Sequence, residues 1–147
     1  MAFAINSFEP VIDREGSKWI DVKIADQSFR VKVFSSLNPT FRAKNGYLAR
    51  ETESIMNSVE KDEPTDKQAA SIVALEDHHV SLIAKHIVGD WEDVVDENGK
   101  PVPYSVDQMA AIMKGAPSIR DQVMTGALEV SIRLEEKKEE TAEKPEG

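Results

Sequence analysis

Apolar and polar residues alternate along 19–25, with Ile20, Val22 and Ile24 on one side and Asp21 and Lys23 on the other. A period of two is the mark of a strand with one buried face. The stretch 29–34 repeats it, setting Phe29, Val31 and Val33 against Arg30 and Lys32. The short break at Asp26, Gln27 and Ser28 makes the pair a β-hairpin, although without an Asn-Gly or Asp-Gly turn signal. Ahead of it, 1–18 mixes Phe3, Ile5, Phe8, Pro10 and Gly16 without a period, as an irregular arm would.

From residue 38 the spacing becomes helical. Asn38 is a good N-cap and Pro39 suits the first helical position, where its missing N–H would be unpaired anyway. Phe41, Leu48, Ile55, Met56 and Val59 carry that helix to about Lys61, with Gly46 as a weak point worth up to about 1 kcal/mol against Ala. After Pro64, Thr65 or Asp66 caps a second helix over 67–88, whose stripe is Ile72, Val73, Val80, Ile83 and Ile87 and whose end is Gly89. The texture then changes. The stretch 90–104 holds Trp91, Tyr104, Pro101, Pro103 and an Asn98-Gly99 turn, a compact hairpin-like loop between helices. Ser105 and Gln108 fit a capping box for a short helix closing at Gly115. A last helix starts near Pro117, with Ile119, Val123, Ala127, Val130 and Leu134 on one face.

The pattern predicts an α+β protein, mainly helical, formed as one domain over 1–134. From Glu135 onward six Glu and three Lys with Thr, Ala, Pro and Gly predict an acidic flexible tail over 135–147.

Composition narrows the chemistry. The chain of 147 residues carries 18 Lys+Arg against 27 Asp+Glu, a net charge of −9. That balance argues against affinity built on neutralising phosphates or an anionic membrane surface, so nucleic acid and membrane are not expected partners. There is no cysteine, hence no disulfide, thiolate metal site or thiol nucleophile. Residues 1–13 lack the basic start and apolar run of a signal peptide, and no apolar stretch approaches the roughly 18 residues of a membrane span. A reduced, soluble, intracellular protein is expected.

Catalytic and metal patterns fail on spacing. His79 and His86 stand about 10 Å apart along a helix, too far to share an ion, and the adjacent His78 faces another way. An EF-hand frame around Gly99 would put Val94 and Ser105 where Asp and Glu are required. The seven glycines form no phosphate loop and no Ser sits in a nucleophile elbow, so neither enzyme nor cofactor is expected. Arg42, Lys44 and Arg50 with Phe41 and Tyr47 could form a basic face on the first helix, but the acidic net charge strongly favours an ordinary solvated surface. Trp91 and Tyr104 read either as a presented binding loop or as a plug between the flanking helices, and the area a Trp buries favours the plug.

The run 87–105 resembles a segment of the tail assembly chaperones of phages with long, non-contractile tails. The likeness rests on Trp91, Glu92, Val94, Asp96, Gly99, Pro101, Val102, Pro103, Tyr104 and Ser105. Asp93 departs from it, since Gly is common at that place. More loosely, a strand bearing Phe29 to Val33 and a long helix opened by Asn38-Pro39 also match in kind. The resemblance implies a non-enzymatic protein of the host cytoplasm that binds the tape-measure protein in multiple copies. It would keep that partner soluble while tail-tube protein polymerises around it, and be absent from the mature virion. Several such proteins also exist in a longer frameshifted form, and Glu136, Lys137 and Lys138 are codable by an A-rich slippery stretch. An acidic protein with aliphatic helix faces suits helix-in-groove binding. The candidate protein-binding residues are Trp91, Tyr104, Ile83, Ile87, Val123 and Val130, with Ile72, Val80 and Ile119 on the same faces; these are also the expected core. The alternative is a structural minor tail or head–tail connector protein of the virion. A small hydrolase or metal protein ranks below both.

Overall fold

The computed structural model describes residues 16–60 and 63–143, with side chains to Glu135. The irregular arm, apart from its last residues, and the final residues 144–147 lie outside the described part. The order is β1 (Ser17–Ile24), β2 (Gln27–Phe34), α1 (Pro39–Asn57), α2 (Asp66–His86), β3 (Val88–Glu92), α3 (Val106–Gly115) and α4 (Pro117–Glu143). The strands form an antiparallel sheet with β2 in the centre.

The hairpin forms as its alternation predicts, with Ile20 opposite Val31 and Val22 opposite Phe29. Its turn lies one residue earlier than expected. Ala25 and Asp26 make it, and Gln27 already pairs with Ile24. Ala25 sits at φ 51°, a left-handed conformation that disfavours a β-carbon. The outer face of the sheet is polar, with Arg30 over the Trp19 ring at 5.3 Å and 3.0 Å from the Glu92 carboxylate. The inner face buries Val22, Val31 and Val33 completely.

Helix α1 begins as the sequence specifies: the Asn38 side chain accepts from the Phe41 amide at 3.0 Å, with Pro39 in the first turn. It stops at Asn57, a few residues short of the predicted end. Thr65 and Gln68 form a reciprocal capping box at the head of α2, and Gln68 also donates to Ser58, tying the two helices at their junction.

The predicted end of α2 at Gly89 is corrected. The helix closes at His86, and the residues that follow leave it as β3, pairing with β2. Gly89 is the unpaired extra residue of a bulge, since Asp90 opposes Lys32 while Val88 opposes Val33. A β-carbon there would collide with the Phe34 ring.

Helix α4 lies across β1 and β2, α2 packs on α1, α3 and β3, and one buried cluster joins all of them. Its largest fully buried side chains include Ile83, Ile87, Met109, Met113, Ile119 and Val123. A polar knot links α4 to the turn before α1. Ser131 Oγ lies 2.8 Å from Ser35 Oγ and 3.0 Å from Ser36 Oγ, and it also accepts from the Ser36 amide at 3.2 Å. The last helix runs further than expected, with α4 helical through Glu143 instead of ending near Leu134. Nothing between them breaks a helix. Glu, Lys and Ala occupy helical positions at low intrinsic cost, and the first breaker is Pro145.

Candidate functional site

The segment that carries the resemblance is built as a closure. Trp91, on β3, is buried and donates its indole N–H to the Val102 carbonyl at 2.7 Å. Val102 donates its own amide to the Val94 carbonyl at 2.8 Å, and Val95 bridges Pro101. At the tip, the Asp96 carboxylate accepts from the amides of Asn98 at 2.8 Å and Lys100 at 3.0 Å, and Gly99 takes φ 77°. Asp93 adopts φ 66°, a left-handed conformation that glycine takes more easily. The Tyr104 ring meets Trp91 edge-on, with centroids 5.1 Å apart, and its hydroxyl donates to the Ala84 carbonyl near the end of α2. Burial, with the Asp90 carboxylate nearby, pushes the Tyr104 phenol well above its ordinary range. Ser105 then caps α3 by accepting from the Gln108 amide. Trp91 and Tyr104 thereby tie the end of α2, β3 and the segment leading into α3 together.

The sequence-predicted contact residues lie mostly on faces turned inward. Ile83, Ile87, Trp91, Val123 and Val130 are buried in the core, as are Val80 and Ile119, while Tyr104 and Ile72 are half-buried. Periodicity finds the inward face of a helix, and here that face is already occupied by the protein itself.

The surface offers a different site. An open groove of about 480 Å³ runs between α1 and α2, lined by Ala43, Lys44, Tyr47 and Leu48 from one helix and His78, Ser81, Leu82 and Lys85 from the other. Leu48 and Leu82 form a buried apolar floor, and Tyr47 stands 58% exposed as a wall. Each helix contributes one exposed lysine and neither contributes a carboxylate. In a chain with nine more acidic than basic residues, that is a local reversal of charge. Of the basic face expected on α1, Lys44 and Tyr47 line the groove, Arg42 and Arg50 are exposed outside it, and Phe41 is buried beneath. The α2 contribution was missed. Its signal is the spacing of 78, 81, 82 and 85, hidden because polar side chains fill most of those places.

The three histidines lie in different environments. His78 lines the groove, His86 is buried at the end of α2, and His79 is half-buried near Arg120. Burial holds the His79 imidazole below its ordinary pKa, and the Arg120 charge adds to the effect. Among the described residues no group of His, Asp or Glu could hold a metal ion, and no helix is long and apolar enough to cross a membrane.

A small sheet backed by helices, a closed aromatic loop and an open groove lined by two lysines define a mainly helical α+β protein. The chain belongs to the YdaY prophage protein family, whose model matches residues 38–144. It is thus a phage-derived protein. The match opens at the cap of α1 and takes in all four helices, β3, the groove and the closure loop, leaving out the hairpin. No curated protein and no solved structure matches the chain.

Proposed function

We propose that this prophage protein is a tail assembly chaperone that binds the tape-measure protein and keeps it soluble while tail-tube protein polymerises around it. The observation that carries this reading is the segment 87–105, which resembles such chaperones and lies inside the stretch matched by a phage family. The α1–α2 groove would be the seat. A cleft between two antiparallel helices accepts a third, and Tyr47 offers the kind of aromatic anchor on which binding energy concentrates. The work is masking of apolar surface in the host cytoplasm, with no bond made or broken and no cofactor. Several copies would act along one long partner and leave before the virion is complete.

The test is co-expression with a phage tape-measure protein. A soluble complex, together with absence of this protein from purified particles, is the expected result. Precipitation of the tape-measure protein despite the chaperone overturns the reading. Presence in purified particles at fixed copy number would mark it instead as a minor tail or connector subunit.

A further inference from the structure

We infer that the segment seated in the α1–α2 groove is an acidic amphipathic helix: an apolar stripe bordered on both sides by carboxylates. This rests on the groove being the partner site of the chaperone reading. The floor of Leu48 and Leu82, with Ala43 alongside and the exposed Tyr47 ring as wall, takes an apolar stripe and excludes a wholly polar chain. Lys44 on one helix and Lys85 on the other place a cation on each side of that stripe, and the lining holds no carboxylate to pair with them. Among the described residues neither lysine forms an ion pair with an acid of the same chain. A partner with carboxylates flanking its stripe satisfies both cations. A partner with lysines there meets like charge, which is how such a groove rejects wrong segments.

The chain carries nine more acidic than basic residues, so its net field favours a basic partner, and the groove is a local exception to it.

Three fluorescent helical peptides test this against the full-length protein. They share one leucine and isoleucine stripe and carry Glu, Gln or Lys at the bordering positions. The Glu peptide should bind roughly tenfold more tightly than the Gln peptide at low salt, a margin that shrinks as salt rises, and the Lys peptide least. Lys44→Glu/Lys85→Glu, at two exposed positions, should reverse the order of the Glu and Lys peptides, with the thermal midpoint lowered only slightly because Lys85 stands in the last turn of α2, where a cation is favoured. Equal binding of all three peptides, or an order that survives the double substitution, overturns the inference. So does sedimentation in which the parent protein pairs with itself and the double variant does not, for the groove then belongs to a second copy. Co-expression separates this from the wider reading. A tape-measure protein kept soluble while the peptides bind indifferently sinks only the charge rule. A tape-measure protein that precipitates while the Glu peptide binds selectively sinks only the chaperone function.

Discussion

Replacing Tyr104 with Phe removes one oxygen from the closure loop and leaves its shape intact. The hydroxyl donates to the carbonyl of Ala84, which is fully buried and two residues before the last residue of α2. That carbonyl is one of the final four to which the helix itself offers no amide. Without the hydroxyl it stays buried with that bond unmade, a cost of about 1–2 kcal/mol for a neutral pair. The edge contact with Trp91 persists, so no cavity term is added. For a chain of this length the loss lowers the melting midpoint by roughly 3–6 °C. Urea unfolding followed by fluorescence of Trp19 and Trp91 measures it directly. The proton supplies a second signature. Because the folded phenol titrates above its ordinary value of 10.0, this group's contribution is complete below that pH and is lost as pH rises through the folded value. The parent should therefore lose stability above about pH 10, with a slope from this group of at most about 1.4 kcal/mol per pH unit, and Tyr104→Phe should lack that component. A Phe variant within about 0.3 kcal/mol of the parent, with an unchanged alkaline limb, would refute the reasoning.

Two further outcomes are expected. Ser131→Ala should cost about 2–3 kcal/mol, since it strips hydrogen bonds from Ser35 and Ser36 at once. The double variant Ser35→Ala/Ser131→Ala should cost about 1 kcal/mol less than the sum of the singles in a urea cycle, whereas additive values would mean the knot is not coupled. Ala25→Gly should stabilise by about 0.5–1 kcal/mol by relieving a left-handed alanine, and Asp93→Gly should gain less because Asp tolerates that conformation better; thermal melting that ranks them the other way would contradict the turn geometry.

Tertiary context also explains two glycines that look alike in sequence. Gly46 and Gly126 both interrupt helices. A β-carbon at Gly46 meets nothing within 4 Å, whereas one at Gly126 would come within 3.0 Å of Ile20, where α4 crosses the sheet. Only the packed structure separates a tolerated weakness from a required close approach.

The sequence by itself determined the elements whose signals are local. The alternation at Ile20, Val22, Val31 and Val33 set the hairpin and its buried face, because side chains on a strand change sides at every residue. Asn38-Pro39 and Ser105 set two helix starts, because a cap bonds only two or three residues ahead. The tertiary structure decided the rest. In β3, Val88 and Trp91 are buried three residues apart because the bulge at Gly89 breaks the period of two, so alternation could not reveal the strand. Whether Trp91 is presented or enclosed depended on Val102 and Tyr104 closing over it, and the groove exists only where α1 and α2 come side by side. A local pattern records which face of an element is apolar. What covers that face, and which surface remains for a partner, is fixed by residues distant in the chain.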